Sequence, residues 1–244
     1  QFEGTEQAKL DEIVRAMARA GSAVAEKIAR MVVDETGFGV YEDKIYKNLY
    51  NTEFVARAML PMRTVGVLWV DEKNRVTAIG SPVGVIAGII PVTNPSSTVF
   101  FKCLASVKSG NAIVCAPHPR AAHSSTAATE VMAEAAVKAG APAGLISCIS
   151  NVMLEATAEL MRHRDVSLVM ATGGPGMVRA AYSSGKPTLA VGAGNVPVYI
   201  HRSVKDVREA APLAITSKSF DNGTACVAEQ SIVIDEPVAA ETRI

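Results

Sequence analysis

Apolar residues recur at three- and four-residue steps through the first sixty positions, a spacing that predicts helices. The first series is Leu10, Ile13, Val14 and Met17, and the second is Val24, Ile28, Met31 and Val32. We expect antiparallel helices with a break at Gly21-Ser22, where Ser22 caps the second one. Thr36-Gly37-Phe38-Gly39 should close the second helix, and a third should run from about Glu42 to Met59, before Pro61.

Two extended segments follow these helices. Residues 64–70 and 75–79 are joined by the charged turn Asp71-Glu72-Lys73-Asn74, which predicts a β-hairpin. An exposed two-stranded hairpin often joins the sheet of a partner. We therefore expect the protein to form a homo-oligomer.

From Pro82 onward, short β-branched runs alternate with helical patterns. The strand-like runs are 83–90, 112–115, 145–149, 167–171 and 188–191, and the helical segments are 97–108, 121–139, 154–162 and 176–184. This alternation predicts repeated βαβ units around a buried parallel sheet. Such sheets bind ligands at the carboxyl ends of their strands. The loops after Ile90, Cys115, Ile149 and Ala171 are therefore the candidate ligand-binding loops.

Two of these loops carry candidate chemistry. After Ala171, the run Thr-Gly-Gly-Pro-Gly-Met-Val at 172–178 lets backbone N–H groups approach an anion at a helix N-terminus. A pyrophosphate fits there, although Arg179 replaces the third glycine of a full Gly-x-Gly-x-x-Gly pattern, and a plain glycine turn is the alternative. After Ile90, Pro95 helps to begin a helix, so Asn94 either forms an Asx turn or meets a ligand.

Cys226 differs from the other three cysteines in its setting. It lies on a polar, glycine-containing loop between a helical stretch and the strand-like segment 230–235, and a thiol on a turn can meet a ligand. Cys103, Cys115 and Cys148 lie in apolar runs without a Cys-x-x-Cys pair, so we expect buried structural thiols there. Cys226 is the candidate nucleophile.

Composition narrows the classes of partner. The chain has 244 residues, 49% hydrophobic and 20% charged, with 24 Lys plus Arg against 24 Asp plus Glu. Without a net positive field, nucleic acid is not an expected partner. The sequence has no apolar stretch of about 18 residues and no basic-then-apolar leader, so we expect neither membrane insertion nor secretion. Scattered cysteines fit a reducing cytoplasm.

Five segments carry a resemblance in their order along the chain. They are Pro91 to Pro95, Pro117 to Arg120, Ala171 to Gly174, Gly192 to Pro197 and Phe220 to Cys226. The chain resembles the coenzyme-binding half of the CoA-acylating branch of the aldehyde dehydrogenase superfamily, as found in bifunctional aldehyde-alcohol dehydrogenases. The resemblance implies an α/β fold in which helices flank a Rossmann-like parallel sheet, preceded by an N-terminal helical segment and a β-hairpin.

The resemblance also implies a reaction and its residues. Cys226 would attack an aldehyde to give a thiohemiacetal, hydride would pass to NAD or NADP, and the thioester would be transferred to CoA. Asn94 and the Cys226 backbone N–H would stabilise the oxyanion. The implied coenzyme-binding residues are Thr93, Pro117, His118, Thr172, Gly173, Gly174, Gly176, Val191 and Gly192. His118 could instead serve only as a loop or cap residue. No metal site is expected, because His118 and His123 are poorly spaced for one.

Two departures from hydrolytic relatives bear on the products. Those enzymes carry a water-activating glutamate just before a Gly-Gly pair, where this chain has the run Thr188 to Asn195 without a carboxylate, and many carry a ribose-binding lysine where it has Ala116. Without the glutamate, CoA is the expected acyl acceptor. The alternatives are a hydrolytic aldehyde dehydrogenase that gives a carboxylic acid and a noncatalytic nucleotide-binding or assembly module.

The resemblance divides the chain into four parts. Residues 1–60 are helices that pack on the coenzyme domain, 61–81 are the hairpin, 82–226 are the dinucleotide-binding domain and 227–244 begin a truncated catalytic domain. We expect a fragment that binds dinucleotide but turns over poorly. The sequence leaves open the aldehyde, the choice between NAD and NADP, and residence in a bacterial microcompartment.

Overall fold

The first sixty residues of the chain are largely helical, as predicted. The computed structural model describes residue 2 and residues 4–240. The helices are α1 (Gln7–Ala23), α2 (Ala25–Thr36), α3 (Tyr41–Leu49) and α4 (Ala56–Met59). A π-helical segment, Tyr50–Val55, joins α3 to α4, so the third predicted helix is continuous from residue 41 to residue 59.

The predicted break at Gly21-Ser22 is wrong. α1 continues through both residues to Ala23, and Val24 separates it from α2 without a side-chain cap. A Cβ on Gly21 would lie 2.6 Å from Cγ2 of Thr52, so this glycine allows α1 to pack closely against the π-helical segment. Ser22 Oγ donates to Thr52 Oγ1 at 2.9 Å instead of capping α2.

The predicted hairpin consists of β1 (Gly66–Asp71) and β2 (Val76–Gly80), which pair antiparallel. It forms a two-stranded sheet of its own. Val67, Trp69, Val70 and Ile79 are all exposed on it. The hairpin therefore presents apolar side chains and unpaired strand edges to its surroundings.

The predicted parallel sheet is confirmed. Its strands are β3 (Val85–Ile89), β4 (Ala112–Ala116), β5 (Ile146–Cys148), β6 (Val166–Thr172) and β7 (Thr188–Val191). The connecting helices are α5 (Pro95–Lys108), α6 (Ala122–Lys138), α7 (Leu154–Arg162) and α8 (Pro175–Tyr182). The strand order is β5-β4-β3-β6-β7, and every pair is parallel. The order reverses between β3 and β6, the position where such sheets bind ligands.

The central strand β3 is buried on both faces of the sheet. Ile86 and Ile90 pack into one apolar cluster with α1, α2, α5 and α6, whereas Ala87 and Ile89 pack into a second cluster with α7 and α8. This alternation follows from the two-residue period of a strand. It explains why the strand reads as a continuous apolar run in the sequence.

A small second sheet ends the described chain. It pairs β8 (Val196–Ile200) with β9 (Glu229–Ile234) in parallel. The helix α9 (Val207–Ser219) connects the two strands, and α10 (Glu236–Ala239) follows β9. The sequence did not predict β8, because Pro197 weakens the strand pattern and fits only an edge strand. The domain boundary at residue 226 stays a prediction, and residues 241–244 of the predicted catalytic domain lie outside the described residues. Within the described chain, no helix combines the length and apolar character needed to cross a membrane.

Candidate active site

The candidate coenzyme residues lie at one edge of the parallel sheet. Thr93 follows β3, and Pro117 and His118 follow β4. Thr172 is the last residue of β6, Gly173 and Gly174 come directly after it, and Val191 ends β7. Because all five strands run in the same direction, these loops share the carboxyl edge. The Gly173 backbone N–H donates to the Val191 carbonyl at 3.1 Å, which joins the loops after β6 and β7.

The glycine turn after β6 leaves room for a ligand. Gly174 is the N-cap of α8 and Pro175 its first residue. A Cβ on Gly174 or Gly176 would meet no atom within 4 Å, so open space faces the backbone at this helix terminus. The open turn, its place where the strand order reverses, and the dipole of α8 fit the phosphates of a dinucleotide.

His118 has a local role in the structure. Its Nδ1 accepts the Arg120 backbone N–H at 3.1 Å and caps a short 3₁₀ turn, Pro119–Ala121. Burial, assisted by the Arg120 charge, lowers the pKa of His118. The neutral ring then carries its proton on Nε2. His118 thus caps this turn, and its contact with a nucleotide stays a prediction.

Cys226 is exposed, in contrast to Cys103 and Cys115, which are fully buried. Cys148 is half-buried rather than buried as predicted, and burial raises the pKa of its thiol to about 11. The loop of Cys226 passes close to the chain between β7 and β8. A Cβ on Gly194 would overlap the Cys226 carbonyl oxygen, so glycine at position 194 allows this approach.

The loop before Cys226 is anchored by the buried carboxylate of Asp221. Its oxygens accept hydrogen bonds from the Val40 backbone N–H at 2.8 Å, Lys44 Nζ at 2.7 Å and Thr224 Oγ1 at 2.5 Å. Lys47 Nζ also donates to it. Asp221 and Asn222 have φ values of 53° and 54°, a left-handed conformation that Asp and Asn tolerate better than most residues. The network ties this turn to α3.

Opposing effects set the protonation of this cluster. Burial would raise the pKa of Asp221, but hydrogen bonds from Lys44, Lys47 and Thr224 outweigh it, and the pKa is lowered. Burial also lowers the pKa values of Lys44 and Lys47, although Asp221 opposes that shift. A Cys226 thiolate is close enough to act on Lys47 in the same direction as Asp221. The charge of Lys47 thus lies within electrostatic range of the candidate nucleophile, without a hydrogen bond to it among the described residues.

Sequence reasoning missed Asp221, Lys44 and Lys47. Asp221 lies 177 residues after Lys44 and 174 residues after Lys47 in the chain. The i, i+3 spacing of the two lysines is common on solvated helix faces. The available signal was Gly39. It has a φ of 82°, and a Cβ there would overlap the Asp221 carboxylate. Gly39 is the point at which the segment before α3 passes over the Asp221 turn.

The side chain of Asn94 points to the Cys226 loop. Its Oδ1 accepts from Lys47 Nζ at 2.6 Å, and its Nδ2 donates to the Thr224 carbonyl at 2.9 Å and to Thr93 Oγ1 at 3.3 Å. The Asx-turn alternative is wrong, because Asn94 makes no side-chain cap bond to α5. The structure thus brings the Asn94 side chain into contact with the Cys226 loop at Thr224, two residues before the cysteine.

Two carboxylates near this loop, those of Asp221 and Asp43, already have partners. Asp221 binds the two lysines, and Asp43 accepts the Asp221 backbone N–H at 2.7 Å. The segment Val191 to Gly194, which passes beside Cys226, contains no carboxylate. Glu229 begins β9, and its Oε2 is buried without a hydrogen-bond partner among the described residues.

Comparisons with known proteins identify the family of the chain. The model of the aldehyde dehydrogenase family matches residues 1–243. The bifunctional aldehyde-alcohol dehydrogenase of Escherichia coli strain K12 is 45% identical over 232 residues, which cover 95% of this chain and 26% of that protein. The chain thus spans about a quarter of this curated relative.

Two solved structures show the same fold. The acetylating aldehyde dehydrogenase from Geobacillus thermoglucosidasius superposes with a TM-score of 0.92 at 51% identity, covering 98% of this chain and 53% of that one. The propionaldehyde dehydrogenase of Rhodopseudomonas palustris, solved with CoA and an acylated cysteine, gives a TM-score of 0.85 at 30% identity, covering 98% and 54%. The chain belongs to the aldehyde dehydrogenase family.

Proposed function

We propose that the full-length protein is a CoA-acylating aldehyde dehydrogenase, in which Cys226 is the nucleophile and Asn94 an oxyanion donor. One observation carries the proposal. The exposed Cys226 lies on a loop that the Asn94 amide contacts through the Thr224 carbonyl, beside the ligand-binding edge of the parallel sheet. An accessible thiol, an amide donor and an open glycine turn at a helix N-terminus are parts that oxidation of an aldehyde to a thioester requires.

In the proposed reaction, the Cys226 thiolate adds to the aldehyde carbon, and the carbonyl electron pair moves onto oxygen. Asn94 Nδ2 and the Cys226 backbone N–H then donate to this oxyanion. None of the hydrogen bonds between described residues uses that backbone N–H. NAD or NADP, when bound at the carboxyl edge of the sheet, would supply the hydride acceptor: the C–H bond of the thiohemiacetal breaks, its electron pair leaves with the hydride, and the oxyanion electrons reform the carbonyl. The acyl group remains on Cys226 as a thioester.

The second half of the reaction needs an acceptor for the acyl group. Water attack requires a general base, and the segment beside Cys226, Val191 to Gly194, offers none. The thiol of CoA is partly ionised near neutral pH and is intrinsically more nucleophilic than water. Its attack releases the Cys226 thiolate, with one proton released over the whole cycle. The acylated cysteine and CoA in the Rhodopseudomonas palustris structure support this route.

The test is the identity of the product. We expect the full-length protein to form acyl-CoA and reduced coenzyme in equal amounts from a short aldehyde, CoA, and NAD or NADP, measured by mass spectrometry and absorbance at 340 nm. Cys226→Ala should abolish both while coenzyme binding persists. Cys148→Ala, at a half-buried thiol remote in sequence, serves as the control and should retain turnover.

The two alternatives give different outcomes. Formation of free acid without a requirement for CoA would identify a hydrolytic enzyme. Coenzyme binding without any aldehyde oxidation would identify a noncatalytic module. Either result refutes the acylating function.

Partner and location belong to the same proposal. The exposed Trp69 and Ile79 on the isolated hairpin support pairing with a second copy of the protein, which sedimentation of a Trp69→Glu variant tests. All four cysteines are free thiols, which supports a cytoplasmic enzyme.

A further inference from the structure

Lys47, which was not among the predicted site residues, contacts the predicted oxyanion donor Asn94. Lys47 lies on α3, and its Nζ donates to Asn94 Oδ1 at 2.6 Å. The same ammonium group donates to the buried Asp221 carboxylate and lies 3.4 Å from Thr224 Oγ1. Lys47 therefore bridges the loop after β3 and the loop that carries Cys226.

The two partners of the Asn94 amide determine its orientation. A lysine ammonium can only donate, and a backbone carbonyl can only accept. The amide therefore places its oxygen toward Lys47 and its NH₂ group toward the Thr224 carbonyl. A flipped amide would set donor against donor and acceptor against acceptor, which leaves buried polar groups unpaired.

We propose that Lys47 is a positioning residue that holds the NH₂ group of Asn94 toward the Cys226 loop. The inference rests on the proposed function, because only an oxyanion donor needs this orientation for catalysis. Lys47 acts through Asn94 and does not itself touch the reacting atoms. The Asp221 carboxylate in turn fixes the ammonium group of Lys47.

Lys44 offers an internal comparison. It shares the Asp221 carboxylate, but its other bond goes to the Thr93 backbone carbonyl at 2.5 Å and not to the Asn94 side chain. Both lysines are largely removed from solvent, with side-chain exposures of 3% for Lys44 and 12% for Lys47. A purely structural contribution should therefore appear in both lysine variants, whereas orientation of the amide should depend on Lys47 alone.

The experiment is a double-mutant cycle in the full-length enzyme. We expect Asn94→Ala to lower kcat by on the order of 10²-fold to 10³-fold, the loss typical of one oxyanion donor. Lys47→Met should lower kcat by roughly 10-fold to 100-fold and change KM for the aldehyde less than about threefold, because the donor remains but is misplaced. The double variant should lie within about threefold of Asn94→Ala alone, because Lys47 has no effect once its target is gone.

Three further variants separate positioning from folding. Lys47→Arg keeps a charged donor and should recover most of the kcat lost in Lys47→Met. In the cycle of Lys44→Met with Asn94→Ala, the fold-loss in kcat of the double variant should be closer to the product of the two single losses than it is in the Lys47 cycle. Lys138→Met changes an exposed helical lysine and should leave kcat and KM at wild-type values.

A second readout does not depend on turnover. In crystal structures of the full-length protein, the Asn94 amide should leave the Thr224 carbonyl in Lys47→Met and keep it in Lys47→Arg. Two results would overturn the positioning role while acyl-CoA formation by the wild type stands. One is a kcat of the Lys47 and Asn94 double variant that falls by the full product of the two single losses, and the other is an Asn94 amide that does not move in Lys47→Met. If the wild type forms no acyl-CoA, the proposed function fails, and the two crystal structures alone decide whether Lys47 orients Asn94.

Discussion

Replacing Asp221 by asparagine should destabilise the protein more than any surface charge change. The carboxylate is fully buried and is the counter-ion of two lysines whose side chains are 3% and 12% exposed. The substitution would keep the size of the side chain but remove its charge. Two buried ammonium groups would then lack a counter-ion, a loss that typically costs about 3–5 kcal/mol.

Urea denaturation measures this loss. With an m value of about 3 kcal/mol per M or less, the midpoint should fall by roughly 1 M or more. Asp165→Asn is the matched control, because Asp165 is 68% exposed and pairs with Arg164 at 3.5 Å. An exposed pair of this kind contributes about 0–1 kcal/mol, so its midpoint should scarcely move.

The pH dependence gives a second check on the same variant. Burial already lowers the pKa values of Lys44 and Lys47 below the usual 10.5, against the opposing effect of Asp221. Without Asp221 these pKa values should fall further. Folding then releases protons from the lysines, so the stability of the variant should rise with pH up to about 10.5, the pKa range of unfolded lysine.

The difference in the free energy of unfolding between the wild type and Asp221→Asn should therefore become smaller between neutral pH and about pH 10. A midpoint shift no larger than that of Asp165→Asn, or a difference that grows with pH, would contradict the view that Asp221 neutralises two buried cations.

Three other predictions concern single side chains. Gly194→Ala should lower kcat at least about tenfold in a progress-curve assay, because its Cβ would overlap the Cys226 carbonyl oxygen and overpacking displaces the backbone; wild-type kcat would show that the loop has room. Burial lowers the pKa of Lys102 to about 7, so the free energy of unfolding should rise with pH from about 7 to about 10.4, the unfolded value. Lys102→Met should make that rise smaller, and an identical pH profile in both proteins would exclude a buried, titrating Lys102. A bulky maleimide should label Cys226 first and Cys148 much later, as followed by peptide mass spectrometry, because Cys226 is exposed and burial raises the pKa of Cys148 to about 11; equal labelling rates would contradict the difference in burial.

The periodic parts of the fold were predictable from the sequence because their signals are local. Apolar spacing identified the N-terminal helices, and β-branched runs identified all five strands of the parallel sheet. The helix α7 was predicted with the bounds that the structure shows, Leu154–Arg162. Parallel strands then place their following loops at one edge, so Asn94 and the glycine turn could be assigned to a common region from the sequence alone.

The remaining features depend on contacts distant in sequence. Gly21 was interpreted as a helix break, but its role is to admit Thr52 from the π-helical segment. Asn94 could be read as an Asx-turn residue because the sequence does not show Lys47 and Thr224 beside it. Lys44, Lys47 and Asp221 gave no local signal, since a buried ion cluster is defined only by the tertiary structure. The misses at Asn94 and at the Lys44, Lys47 and Asp221 cluster lie where the N-terminal helices meet the later part of the chain.

The bond between Lys44 and Asp221 also sets an order of events during synthesis. The two residues are 177 positions apart, and a ribosome adds about 5–20 residues per second. At that rate, Lys44 and Lys47 emerge roughly 10–35 s before the carboxylate that neutralises them. The nascent chain can pack β3 through β7 in that interval, before the carboxylate that binds the two lysines of α3 has been synthesised. The cysteine loop is then secured in the last stage of translation of this segment, after the sheet that flanks it is complete.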